Sequence, residues 1–206
     1  VYGGMEKYLN FEMYSLPALI LLSISVLLLL VSYDWRLLIG ALGLMYVGIF
    51  ILVSGSYTLE MAVVKLITGW ISASVLGISI FSETIRNHYT IHYSISEIIF
   101  RISAAGLIGL VTVSISPGVL ELIREASPEQ VIGGVILLGM GLLHLGFSGQ
   151  PLNTVIGLLI LFGGFEILYS TIESSILVNG LLAIINLSIA LVGAYLLISP
   201  TLESDE

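Results

Sequence analysis

The chain has no cysteine and very little charge. Without cysteine there is no disulfide, no thiolate metal site, no cysteine-attached haem and no cysteine-held iron–sulfur cluster. Charged residues make up 10% of the 206 residues, where a water-soluble domain carries about 25%, so a soluble fold is excluded. Positive charge is the scarcest: 6 Lys and Arg stand against 14 Asp and Glu, a formal net charge of -8. That balance argues against binding nucleic acid or anionic lipid headgroups by electrostatics. Eight of the acids fall in three stretches that read as wet, Glu6 and Glu12, then Glu121, Glu125 and Glu129, then Glu203, Asp205 and Glu206.

What fills the chain is apolar residues, 57% of the total, with a mean hydropathy of +1.11. The expected fold is all-α, a polytopic transmembrane bundle of about seven helices forming one domain over 1–206, with a short polar N-terminal segment at 1–15 and an acidic tail at 200–206. The spans read as Leu16 to Ser32, Leu37 to Val53, Leu59 to Phe81, Ile98 to Ile115, Val131 to Phe147, Leu152 to Tyr169 and Ile176 to Ile198. Runs of this length satisfy their own backbone in lipid only as helices. Barrel strands would be alternating segments of about ten residues, which do not occur here.

Most connections are a few residues long, so neighbouring spans form antiparallel hairpins. Two are longer and charged, Ser82 to Glu97 and Ser116 to Gln130. The second holds Pro117, Arg124 and Pro128 and is expected to form a short interfacial helix. Tyr14, Tyr33, Tyr57, Tyr169 and Trp35 sit near span ends as an aromatic belt would. Arg36, Arg86 and Arg101 on one side outvote Lys7 and Arg124 on the other, which places the C-terminus in the cytoplasm. The first apolar run follows Glu6, Lys7 and Glu12, a flank unlike that of a cleavable leader. A parallel internal repeat is also expected. Leu37 to Leu44 aligns with Thr154 to Leu161, Gly40 on Gly157, an offset of about 117 residues.

Lys65 is the sharpest chemical feature. It lies inside the third span between Val63, Val64, Leu66 and Ile67, where a cation costs on the order of 2.5–3.5 kcal/mol. Steps of four place it in one row with Gly69, Ala73 and Gly77, a ridge of small side chains for close helix packing. Snorkelling toward Tyr57 is the plainer alternative. Glu60 lies about 140° away around the helix and cannot pair with it; an acid in the first turn suits the helix dipole. Glu166, near the end of the sixth span, is the best intramolecular partner and a candidate proton carrier. His144 in the fifth span is a further candidate relay, or a histidine bonded to backbone.

Asn179, Asn186 and Ser188 in the last span are expected to bond across helices. Glu97 and Arg101 are spaced for a surface pair. His88 and His92 have ligand spacing but lack a third ligand, so no metal site is assigned. HExxH, GxSxG, P-loop and dinucleotide patterns do not occur; neither a catalytic centre nor a cofactor is expected.

The third span, Met61-Ala-Val-Val-Lys65-Leu-Ile-Thr-Gly69, and the penultimate one, Gly157-Leu-Leu-Ile-Leu-Phe-Gly-Gly-Phe-Glu166, together with seven spans in this length, resemble the hydrogenase-4 membrane component E family. The last three spans are similar to the small K-type subunit of respiratory complex I and its C-type counterpart in multisubunit cation/proton antiporters. The resemblance implies a subunit of a proton-translocating oxidoreductase or hydrogenase/antiporter complex in the prokaryotic cytoplasmic membrane, with other membrane subunits and the lipid bilayer as partners. It matches Lys65 to a third-span lysine of the family. The family's glutamate falls one turn earlier than Glu166, at Phe162, and the second K-type carboxylate has no counterpart between Ile176 and Ile198. An independent secondary transporter and a structural scaffold are the alternatives.

Overall fold

The computed structural model describes residues 2–32, 34–81, 95–147 and 149–202, with side chains described from 13 to 198. Among the described residues there are seven helices and no strand: α1 (Tyr2–Val31), α2 (Trp35–Val53), α3 (Leu59–Ile80), α4 (Ile95–Leu122), α5 (Pro128–Phe147), α6 (Pro151–Ser170) and α7 (Ile176–Leu202). All seven are long and apolar enough to cross a bilayer, so the chain is an integral multi-pass membrane protein. Side chains that face away from the bundle, such as Ile78, Leu110, Leu122 and Leu177, are aliphatic, as contact with lipid requires.

Helix boundaries follow local chemistry. Asp34 caps α2 by accepting from the Arg36 N–H at 3.0 Å. Ser127 and Gln130 form a reciprocal capping box at the start of α5: Ser127 Oγ accepts from the Gln130 N–H, and Gln130 Oε1 accepts from the Ser127 N–H. The Gln130 amide then donates to Leu52 O at 2.8 Å and Ser56 Oγ at 2.9 Å, tying that helix start to the α2–α3 turn. Pro151 begins α6, where its missing N–H costs nothing.

The polar N-terminal segment forms the first part of α1, which runs from Tyr2 through Pro17. Two expectations about local structure change. No separate interfacial helix forms after Ser116, because α4 runs straight through Pro117 to Leu122 and the connection shrinks to 123–127. Proline deprives one carbonyl of its donor, a loss that membrane helices tolerate; Ser116 Oγ donates to Thr112 O one turn below. Tyr57 joins no aromatic belt. It is buried in the α2–α3 turn, where burial, then Glu166, Tyr169 and Glu173, push its phenol up to about 12.

The parallel repeat is visible in the helix boundaries. An offset of about 117 carries Trp35 to Leu152, Val53 to Ser170 and Leu59 to Ile176, so the ends of α2 and the start of α3 fall within about a residue of the ends of α6 and the start of α7. It also carries the span of α1, Met13–Val31, onto that of α5. The bundle is thus a three-helix unit (α1–α3), a separate α4, and a second three-helix unit (α5–α7) running the same way. The units meet through α1 on α5, α2 on α6 and α3 on α7, while α4 lies against α5 and α1.

Glycines set the closest approaches. A Cβ at Gly164 would stand 2.7 Å from Gly134 O and 2.7 Å from Leu138 N, and one at Gly141 would meet the Leu161 backbone. The α5–α6 backbones therefore touch, as small residues permit in membranes.

Candidate functional site

Lys65 does not snorkel. Its side chain, 1% exposed, crosses from α3 to α6 and donates from Nζ to Glu166 Oε1 at 2.5 Å; Glu166 is also 1% exposed. The ridge expected on α3 explains how the ammonium comes to lie inside. Gly69 faces the Tyr46 ring of α2, which occupies the place a Cβ would take, Ala73 is buried, and Gly77 meets Ile39 of α2. Small side chains let α2 lie close over α3, and Lys65, the one long residue of that row, extends past them toward α6.

The pair lies among polar groups drawn from four helices. Tyr46 of α2 donates its hydroxyl to Asn186 Oδ1 of α7 at 2.8 Å and lies within electrostatic reach of Glu166. Asn179 of α7 donates to Met61 O of α3 at 3.2 Å. Both asparagines thus bond across helices as expected. Ser188 does not: it donates to Ile184 O of its own helix. Ser72 lies seven residues beyond Lys65 on the same face of α3 and is fully buried. Within this group Glu166 Oε2, Ser72 Oγ, Asn179 Oδ1 and Asn186 Nδ2 have no hydrogen-bond partner among the described residues. Buried groups of this kind call for water or exchangeable protons.

His144 is buried too, but it is not part of this constellation. The register of α5 on α6, Gly141 against Leu161 and Gly134 against Gly164, sets it about 12 Å from the level of Glu166 along the bundle. Its electrostatic neighbour is Arg101 of α4, and neither ring nitrogen has a hydrogen-bond partner among the described residues. Arg101, expected at the surface beside Glu97, is turned inward. It donates to Leu30 O at 2.9 Å, a carbonyl of the last turn of α1, and lies over the Phe147 ring at 5.4 Å. The free carbonyls of a helix C-terminus are favourable acceptors for a guanidinium. Glu60 is exposed in the first turn of α3, as its sequence position requires.

Sequence reasoning passed over Tyr46, Ser72 and Gln130. The signal for Tyr46 was present: a phenol halfway along α2 is too deep for a belt and needs a buried acceptor. Ser72 carried no comparable signal, since most serines in these helices bond back to their own backbone, as Ser23, Ser25 and Ser79 do. Among the described residues no group of three His, Asp or Glu side chains is placed to hold a metal ion. His88 and His92 lie outside the described residues.

No protein-family model matches the chain, and no curated protein or solved structure is similar to it.

Proposed function

We propose that this chain is a membrane subunit of a proton-translocating complex of the complex I-related kind, and that the Lys65–Glu166 pair is its element of the intramembrane charge path. The observation that carries this reading is the buried ion pair itself, joining two three-helix units at a level where lipid would surround an unpaired charge. Ammonium–carboxylate and amine–carboxylic acid contain the same protons but differ in dipole by a full charge separation. A charge moving in an adjacent subunit therefore biases one state over the other, and the pair titrates as a unit. The absence of a carboxylate at Phe162, and of any acid in α7 through Ile198, leaves one such pair among the described residues, which suits a link in a longer relay. Phe162 itself stacks on Phe165 at 6.1 Å.

The test is to purify the tagged chain in mild detergent. Recovery of a large complex, in which Lys65→Met or Glu166→Gln slows coupled proton pumping while assembly persists, supports the reading. Recovery as a lone, stable chain with solute uptake overturns it. The position of the pair between α3 and α6 also fits a second reading, in which it only clamps the two units. In that case Lys65→Met combined with Glu166→Leu leaves pumping normal.

A further inference from the structure

The polar groups around the ion pair form a ladder, and the ladder has a direction. On α3, Lys65 and Ser72 are seven residues apart on one face. On α7, Asn179 and Asn186 are likewise seven apart on one face. The two helices run parallel and in contact, with Asn179 bonded to Met61 O and Asn186 joined through Tyr46 to the level of Gly69. The rungs therefore alternate between helices: Asn179, Lys65 with Glu166, Asn186 with Tyr46, then Ser72. Successive rungs are three to four residues apart, about 5 Å. A water between neighbouring rungs would give their open atoms a hydrogen-bond partner.

Each rung keeps one buried polar atom without a protein partner among the described residues: Asn179 Oδ1, Glu166 Oε2, Asn186 Nδ2 and Ser72 Oγ. The first rung lies within a turn of the start of α3 and α7, at the face of the 54–58 and 171–175 connections, and Ser72 lies about 20 Å in. Beyond Ser72 the polar row stops. Leu76 and Ile80 of α3, Leu42 of α2 and Ile156 of α6 are fully buried and aliphatic. Ser79, next in the row, donates its hydroxyl back to Val75 O at 2.9 Å. On α7 the position seven beyond Asn186 is Gly193, which lies under Val155.

We infer that the Lys65–Glu166 site is reached by water from the face of the 54–58 and 171–175 turns only, and ends blind near the middle of the bilayer. This deepens the proposed role of the pair and rests on it for its purpose, since a proton taken up from one face then leaves the chain sideways, toward a neighbouring subunit. The access itself is a separate property with its own readout.

The chain contains no cysteine, so single-cysteine variants report access without background. Ser72→Cys, Asn186→Cys and Leu76→Cys are placed one at a time in the full chain, with Glu60→Cys and Arg36→Cys marking the two faces. Vesicles of each orientation are treated with Ag⁺, an impermeant thiol-reactive ion close to water in size, and modification is counted by mass. Ser72→Cys is expected to react at least tenfold faster from the Glu60 face than from the Arg36 face, and Leu76→Cys to react from neither. Equal labelling of Ser72→Cys from both faces, labelling from the Arg36 face, or silence at both Ser72→Cys and Asn186→Cys while Glu60→Cys reacts overturns the inference. Labelling does not depend on pumping, so a Lys65→Met variant that pumps normally removes the proposed function and leaves one-sided access standing.

Discussion

The two three-helix units share their span lengths and direction, yet they divide the chemistry between them. Lys65 of the first unit corresponds to Leu182 in the second, and Glu166 of the second corresponds to Ile49 in the first. Tyr46 likewise corresponds to Gly163, and Asn186 to Gly69. Every polar residue of the site thus has an apolar or small counterpart, and each cross-unit bond is made once. The units also pack differently. In the first, α2 and α3 are joined by the Trp70 indole donating to Gly43 O at 3.2 Å, and Trp35 meets Phe81 edge-on at 6.2 Å. In the second, Leu152 and Ile198 take the places of Trp35 and Phe81. There α6 and α7 flank an open apolar groove of about 620 Å³, lined by Leu158, Ile189, Val192 and Leu196 with Gln150 and Thr154 at its end. The repeated architecture supplies matched frames, and divergence of a few buried positions turns the contact between frames into a polar, asymmetric one.

The strongest way to break this division of labour is to remove one charge. Lys65→Met leaves a carboxylate buried without its cation and is expected to cost about 3–5 kcal/mol. Lys65→Met with Glu166→Leu is expected to recover most of that loss, as thermal unfolding in detergent will show. Next in size is an attempt to build the missing mirror pair. Ile49→Glu alone buries a new acid and is strongly destabilising, whereas adding Leu182→Lys is expected to recover more than about 1 kcal/mol in a double-mutant cycle. Additive effects would show that the internal register does not extend to side-chain positions.

A smaller effect separates the seams. Gly164→Ala sets a methyl against the backbone of α5, which cannot yield, and Gly69→Ala sets one against the Tyr46 ring; each is expected to lose about 1–3 kcal/mol. Gly40→Ala and Gly43→Ala meet nothing within 4 Å and are expected to be neutral or mildly stabilising in the same assay. Among the destabilising changes the mildest is Tyr46→Phe, which removes the hydroxyl bonded to Asn186 and is expected to cost about 1–2 kcal/mol without altering expression or assembly.

Helix number, direction and most boundaries were legible because lipid imposes a simple rule: apolar runs of sufficient length become helices. The partnership of Lys65 with Glu166 was legible for a related reason, since a cation at depth needs an acid and few acids lie at depth. The fate of Arg101 was not. Its sequence spacing to Glu97 describes a local pair, whereas its observed acceptor, Leu30 O, lies 71 residues away on a helix whose packing no local pattern encodes. The distance of His144 from the level of the pair was not legible, because depth along a span is readable from sequence but the register between spans is not. That register is set by where Gly134, Gly141, Gly157 and Gly164 allow backbones to meet.

The partners Lys65 and Glu166 are 101 residues apart in the chain. At roughly 5–20 residues per second of synthesis, α3 is complete about 5–20 s before the acid that neutralises its lysine has been made. Throughout that interval α3 carries a cation whose acid does not yet exist, so the contact between the two units can close only after α6 has been made.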